Sequence, residues 1–459
     1  DLLLGDPHKQ RELEKGLLRK LDLRVAFLAL LHSINYIDRG NVASARLKGL
    51  EEDLHMAGQQ FNALISCFYV GYVLMQIPSN IFLNRLNRPS VYISCCIFLW
   101  GIISISFLPT QLGSFHAALV SRFLLGFSQA VFYPGVIFVL STWYKCDELG
   151  LRTAYLTCGA ALGTSFGALV ESGILATMDG RLGYAAWRWL FFIEGGLTCV
   201  VALMAFYVVP DFPTSRATWL TTEEQLLAQK RVAEDLRGVM DHSLESSKSS
   251  GLVEAFTDWT VWWIAIAVVL LEVSQSFLTF FPTIVATMGY SPSLTLLLCT
   301  PPQILIVIVS FFVTSHSDMT RERFWHITGS ISMSIIGFSI AASTMNNAFR
   351  YISLFFMCQS VVSYIVLTAW ANNSIPEPSK RAVVVAILGV STTIGDIVSA
   401  YMWPSSSGPS YSKAFVGCTS VSLVTLGMLW MFRLHLVRLN EKAKMNELVL
   451  GLPTGFRYI

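Results

Sequence analysis

Charge is scarce in this chain. Of its 459 residues only 14% are Asp, Glu, Lys or Arg, against about 25% in an ordinary soluble protein, which argues against a soluble enzyme. Nor does one sign dominate: Lys+Arg 32 against Asp+Glu 30 leaves a net charge of +2, too balanced for a broad face that grips nucleic acid. Metal-ligand spacing is missing as well. The nine cysteines (Cys67, Cys95, Cys96, Cys146, Cys158, Cys199, Cys299, Cys358 and Cys418) include no CxxC pair and have no His at ligand spacing. They read as buried small hydrophobes, not as a disulfide framework or a metal site. There is no G-x-x-x-x-G-K-[ST] nucleotide loop and no H-E-x-x-H, which excludes an ATP-driven pump and a zinc protease. No cofactor is expected. The chain opens at Asp1 and not Met, as expected where a leader or tail has been trimmed. No cleavable signal peptide is expected, because the first apolar run follows a long charged segment.

Hydrophobic residues make up 53% of the chain, and the mean hydropathy is +0.55. At about 20 residues per crossing, apolar runs can be placed at 25–45, 61–83, 91–108, 113–141, 151–176 and 187–209, then at 259–284, 293–315, 325–345, 350–374, 382–403 and 414–436. The expected fold class is an all-α membrane protein of twelve transmembrane helices in two pseudo-symmetric six-helix bundles. Its expected divisions are an N-terminal segment 1–24, a bundle 25–209, a connector 210–258, a second bundle 259–436 and a C-terminal tail 437–459. The connector holds Glu223, Glu224, Lys230, Arg231, Glu234, Asp235 and Arg237, then the Ser-rich run Ser243–Ser250. It reads as an aqueous link, helical over 223–237 and flexible after it.

Lys and Arg gather on one side. They lie at Lys9, Arg11, Lys15, Arg19, Lys20 and Arg24, at Arg433, Arg438, Lys442, Lys444 and Arg457, and in the loops with Arg85, Arg88, Lys145, Arg152, Arg321, Arg323, Lys380 and Arg381. Opposite loops hold Arg46, Lys48, Arg181, Arg188, Arg350 and Lys413. Both termini and the connector are expected in the cytoplasm, so the sequon Asn372-Asn373-Ser374 falls on the unglycosylated side. Two halves joined by a long cytoplasmic loop form a common transporter architecture. Gly159, Gly163 and Gly167 in the fifth span, and Ser391, Gly395 and Ser399 in the eleventh, make small-residue stripes. Such stripes serve static packing or provide a surface along which the halves rock.

Several motifs carry a resemblance. Arg122-Phe-Leu-Leu-Gly126 resembles the R-x-x-x-G signature of the major facilitator superfamily. Leu21-Asp-Leu-Arg24, Tyr36-Ile-Asp-Arg-Gly-Asn41, Phe132-Tyr-Pro-Gly135, Trp143-Tyr144 with Glu148-Leu-Gly150, and Trp187-Arg-Trp-Leu-Phe191 with Glu194-Gly195 are similar to the anion:cation symporter family, in its fungal allantoate-permease-like branch. So are Pro210-Asp-Phe-Pro213 with Trp219-Leu-Thr221, Phe281-Pro-Thr-Ile284, Trp370-Ala-Asn-Asn373 and Lys380-Arg-Ala382. The resemblance spans about Leu17 to Lys442. It implies a secondary transporter of a small carboxylate, working by alternating access with helices 1, 4, 7 and 10 lining the cavity. Uptake across the plasma membrane, proton symport and a monomeric chain are expected with it. Two departures stand out. The loop after the second span runs Asn80-x-x-x-Asn84-Arg85-x-Asn87-Arg88 where the family has G-x-x-x-D-R-x-G-R, while the loop after the eighth keeps Asp318 with Arg321 and Arg323. The expected cytoplasmic gate is therefore Asn84, Arg85, Arg88, Asp318 and Arg321, charge-based in one half only. Gln129 stands seven residues after Arg122 where the family often has Glu, so the usual proton carrier is absent there.

Ionisable groups inside a membrane are costly and usually face a cavity or a partner. Arg122 lies about nine residues into the fourth span, roughly 14 Å deep at 1.5 Å per residue. Its planar fork can receive a carboxylate, or it bonds to helix 1 carbonyls or Gln129. Asp38 and Arg39 are adjacent and point apart; with Asn41 they are candidates for the outer lip of the site. The substrate-binding candidates are Arg122, Gln129, Tyr133, Asp38, Arg39, Asn41, Tyr69, Gln275, Tyr364 and Asn372, with Phe280, Trp370 and Asn373 nearby in sequence. Proton-coupling candidates are Asp38, Glu171, Glu272 and Asp396, since a desolvated carboxyl can load and release a proton. Glu194, near Arg188 and the end of its span, is expected to be structural. Pro134, Pro282, Pro301 and Pro302 are expected kink points. A facilitator, an exporter of an organic acid and a transporter-derived nutrient sensor are the competing readings.

Overall fold

The structure is a computed structural model that describes residues 7–83, 85–86, 88–106, 115–215, 217, 219–231, 248–375 and 378–450. The chain divides into two compact units, Asp1–Met56 with Val70–Glu245, and Ala57–Tyr69 with Ser246–Ile459. In chain order the long helices are α1 (Pro7–Arg46), α2 (Gln60–Leu83), α3 (Pro89–Ile105), α4 (Phe115–Ser141), α5 (Cys146–Thr177) and α6 (Ala186–Val208). The second set is α7 (Trp259–Leu278), α8 (Pro292–Thr320), α9 (Phe324–Ser343), α10 (Asn347–Asn373), α11 (Pro378–Ser399) and α12 (Ser412–Leu450). Ten of these are long and apolar enough to cross a membrane, and α3 is a shorter apolar helix. With α1, whose apolar part follows Arg24, twelve elements stand where twelve spans are expected. Residues 222–231 of the connector are helical; residues 232–247, with most of the Ser-rich run, lie outside the described residues.

Local chemistry sets several helix ends. Asp258 caps α7 by accepting from the Thr260 N–H at 2.8 Å. Ser291 caps α8 by accepting from the Leu294 N–H, with Pro292 in the first turn, where its missing N–H costs nothing. The expected kinks divide into two groups. α4 is interrupted at 130–131, four residues before Pro134, which cannot donate to the Ala130 carbonyl. Pro282 opens the short helix Phe281–Ala286. By contrast, α8 continues through Pro301 and Pro302.

The glycine stripe of α5 is spent on static packing, which corrects the alternative of a sliding surface between halves. A Cβ at Gly159 would overlap the Ala29 carbonyl, one at Gly163 the Ser33 carbonyl, and one at Gly167 would sit 3.1 Å from Ile37. Partners at 29, 33 and 37 share the same four-residue spacing, so α1 and α5 lie backbone to backbone. Ser33 Oγ closes the contact by donating to the Gly159 carbonyl at 2.7 Å. The run Gly163-Thr-Ser165-Phe-Gly167 spells the G-x-S-x-G of a hydrolase elbow. Here it is mid-helix, and Ser165 Oγ donates to the Ala161 carbonyl. In the second unit a Cβ at Gly395 would lie 2.5 Å from Glu272 Cβ, so α11 rests on α7 as α5 rests on α1.

Many of the sequence motifs meet at one end of the first unit. Asp22 accepts from Tyr144 at 2.9 Å and from Arg152 at 3.1 Å. Trp143 Nε1 donates to the Asp211 carbonyl, and Arg24 stacks on Trp219 at 3.8 Å. Arg231 is buried between Glu14 and Glu148, at 2.7 and 2.6 Å. Burial works against ionisation of Glu224, yet the Lys20 ammonium and Thr221 together hold its carboxyl below the usual range. The first part of the connector is thus folded onto this unit.

Gly163→Ala should lower the thermal unfolding midpoint of purified protein, by an overpacking cost of about 1–3 kcal/mol. Gly196→Ala, where nothing lies within 4 Å of the added methyl, should leave it unchanged or raise it slightly, because Ala is the better helix former. Equal midpoints for the two variants would refute the close α1–α5 contact.

Candidate functional site

Along α1, polar residues recur every third position: His32, Asn35, Asp38, Asn41 and Ser44, all 5% exposed or less. Three-residue spacing on a 3.6-residue helix drifts by about 60° per step, so the series winds around α1 and meets several neighbours. Asp38 is fully buried; its Oδ2 accepts from Trp100 Nε1 of α3 and from Thr198 Oγ1 of α6, both at 3.0 Å. The charge of Arg122 on α4, itself 2% exposed, acts on it. Ser44 donates to Glu171 Oε2 of α5. Glu194 of α6 is 4% exposed and within electrostatic range of both Glu171 and Asp38. The Asn41 amide faces the Glu194 carboxylate without reaching hydrogen-bond geometry.

Glu194 therefore differs from its expected role beside Arg188. Arg188 stands 4.0 Å from Asp53, which also accepts from Trp187 Nε1 at 2.8 Å. Neither Glu194 oxygen has a hydrogen-bond partner among the described residues, and neither amide atom of Asn35 or Asn41 has one. In hydrocarbon such groups cost several kcal/mol each unless something satisfies them. Polar atoms of this kind mark where a ligand, a proton or water enters.

Arg39 points away from Asp38, as adjacent helical residues must. Its Nε donates to Gln129 Oε1 at 3.2 Å, and its guanidinium lies over Tyr36 and Tyr72 at 5.0 and 4.8 Å. It is half-buried and spends its reach inside the bundle. Gln129 is fully buried, and its Nε2 has no partner among the described residues. Tyr133, in the segment after the α4 break, stacks on His32 with centroids 5.1 Å apart. The first unit thus brings together Asp38, Asn41 and Glu171 with Arg122 acting on Asp38, and sets Arg39, Gln129 and Tyr133 beside the same α1 face. His32, Asn35, Ser44, Trp100 and Thr198 were missed in the sequence; for the first three the three-residue polar period inside an apolar span was the available signal, and for Trp100 and Thr198 there was none.

The second unit holds the remaining candidates. Glu272 of α7 and Asp396 of α11 act on one another electrostatically. Tyr364 and Thr392 hydroxyls meet at 3.1 Å. Gln275 is buried with Nε2 unpartnered among the described residues. Asn372 Oδ1 is in the same state, with Asn373 exposed beside it. Tyr69 meets Phe68 edge to face. Phe280 stacks on Trp403, whose Nε1 donates to Ser276.

Of the expected gate, Asn84 lies outside the described residues, as does Asn87 of the same loop. Arg85 and Arg88 are exposed. Asp318 pairs with Arg323 at 2.7 Å, whereas Arg321 ends α8 in a left-handed conformation with φ 52°. Among the described residues no group of three or more His, Cys, Asp or Glu side chains could hold a metal ion.

A family model described as the Major Facilitator Superfamily matches residues 28–400. The chain is 32% identical over 426 residues to the MFS-type transporter cnsO of Penicillium expansum, a match covering 88% of this chain and 80% of that protein. It is 32% identical over 339 residues to a putative tartrate transporter of Agrobacterium vitis, covering 72% of each. Among solved structures it superposes on a D-xylose-proton symporter with a TM-score of 0.70, at 15% identity, covering 90% of this chain and 97% of that one. At that identity the likeness is one of fold.

Proposed function

This chain belongs to the Major Facilitator Superfamily of membrane transporters, and from that premise we propose that it carries a small organic anion by proton-coupled symport. It is a multi-pass membrane protein with a small-molecule substrate, and it is not an enzyme. The anion class, the coupling, the anion:cation symporter branch and the plasma-membrane location are the proposal. One observation carries it: a buried guanidinium, Arg122, stands within electrostatic range of a buried carboxylate, Asp38, inside a membrane bundle. A guanidinium stays charged at any relevant pH and matches a carboxylate with two parallel hydrogen bonds. The name of the Agrobacterium relatives points the same way, because tartrate is a dicarboxylate.

Coupling needs a group that gains and loses a proton. Gln129 cannot, so the role falls to Asp38 or Glu171 in the first unit, or to Glu272 or Asp396 in the second. Two carboxyls close together in low dielectric do not both ionise readily, and both units hold such neighbours. Gln129 also favours a second reading, facilitated diffusion of the anion with no proton.

Binding of labelled small carboxylates to purified protein tests the anion site. Arg122→Lys and Arg122→Ala should each lose roughly 10- to 100-fold in affinity, the worth of a hydrogen bond to a charged group, while unfolding as cooperatively as the parent. Unchanged affinity in both would remove Arg122 from the site. For orientation, tags at either terminus and within 243–250 should all be cytosolic, following the Lys/Arg bias. A tag exposed on the outer surface would overturn it.

A further inference from the structure

The geometry points to a second binding site, for a phosphate group, at the arginine-rich end of the C-terminal half. A cavity of about 190 Å³ opens there, lined by Arg321 and Arg323 from the turn between α8 and α9, Phe324 at the start of α9, Trp370 of α10 and Arg433 of α12. Three arginines from two separate stretches of chain line it. The one carboxylate in the lining, Glu322, is engaged elsewhere. It accepts from the Trp325 N–H at 2.9 and 3.2 Å, and its Oε2 stands 3.4 Å from His326 Nδ1.

The donors are arranged for an acceptor with several oxygens. The Arg433 guanidinium carbon lies over the Phe324 ring at 4.6 Å and the Trp325 ring at 4.9 Å. A cation–π contact holds the charge in place without using a hydrogen-bond acceptor, so it does not consume the N–H donors that a ligand would need. Arg323 gives Nη2 to Asp318, while its buried Nε has no partner among the described residues. Trp370 is 2% exposed, yet its indole N–H, a donor only, also has none. A buried indole N–H beside three arginines suits an anion and disfavours a cation.

The surroundings indicate where such an anion comes from. Trp325 and Trp430 stand beside the cavity, about half exposed and 6.2 Å apart, in the manner of the aromatic belt at headgroup depth. A phosphate there belongs to an anionic lipid headgroup or to free phosphate, and arginine forks recognise both alike. The site lies wholly in the second unit, apart from Arg122 and Asp38, and does not depend on what the protein transports.

The test uses the full chain, purified and placed in phosphatidylcholine nanodiscs with or without phosphatidic acid. In parallel, inorganic phosphate is titrated onto the protein in neutral detergent. The readouts are the shift in unfolding midpoint and the lipid retained in native mass spectra. Phosphatidic acid should raise the midpoint of the parent, and Arg433→Gln and Trp370→Phe should each lose roughly tenfold in apparent affinity, a charge-assisted hydrogen bond's worth. A response to phosphatidic acid alone supports the lipid source, and a response to inorganic phosphate as well supports free phosphate. Trp370→Phe keeps an aromatic ring but removes the N–H together with the five-membered ring of a core residue, so Arg321→Gln, at an exposed position of the same lining, is the third variant and reports a loss of affinity even where the other two fail to fold. The proposal is overturned if neither ligand shifts the parent, or if the variants that fold respond as the parent does.

Discussion

Everything in the first unit depends on how closely α1 can lie against α5. Apolar side chains have no hydrophobic reason to prefer one another over lipid tails, so helices in a membrane associate through packing and hydrogen bonds. Three glycines at four-residue spacing let the two backbones meet at Ala29, Ser33 and Ile37. That contact fixes the rotation of α1, and the rotation decides where its five buried polar residues point. Ser44 then reaches Glu171, Asp38 reaches Trp100 and Thr198, and Asn41 faces Glu194. A bulkier α5 would turn or displace α1 and leave those groups in lipid.

The two ends of this machinery are built differently. Inside the membrane, the carboxylates are held by neutral donors such as an indole, a threonine and a serine, and by the more distant charge of Arg122. Where the connector begins, the same chain uses full ion pairs: Lys20 with Glu224, Arg152 with Asp22, and Arg231 between Glu14 and Glu148. The contrast follows from solvation. Lys20 and Asp22 are each 42% exposed, so their pairs cost little to form, and buried Arg231 is offset by two carboxylates, whereas a fully paired carboxylate in the bundle interior would have no reason to change its proton.

Much of this was legible in the sequence, for identifiable reasons. Span positions follow from hydrophobic run length, which the bilayer thickness enforces. The break in α4 follows from Pro134, and the ionisable Asp38 and Arg122 stand out within long apolar spans. What a linear reading could not supply was adjacency. It left the α5 stripe with two possible uses, and it gave Glu194 the neighbour closest in sequence, Arg188, when the bundle places Glu171 and Asp38 near it. It also passed over His32, Asn35 and Ser44, each ordinary alone and informative only as a three-residue period.

The claim that a buried carboxylate couples anion movement to protons is most directly tested in proteoliposomes held at zero membrane potential. With the outside made more acid than the lumen, the parent should accumulate a labelled substrate carboxylate above its external concentration. Asp38→Asn, or the corresponding neutral form of whichever carboxylate couples, should still exchange substrate across the membrane but no longer concentrate it. Uptake that ignores the imposed gradient, with accumulation unchanged in Asp38→Asn, Glu171→Gln, Glu272→Gln and Asp396→Asn alike, would contradict the account and leave facilitated diffusion in its place.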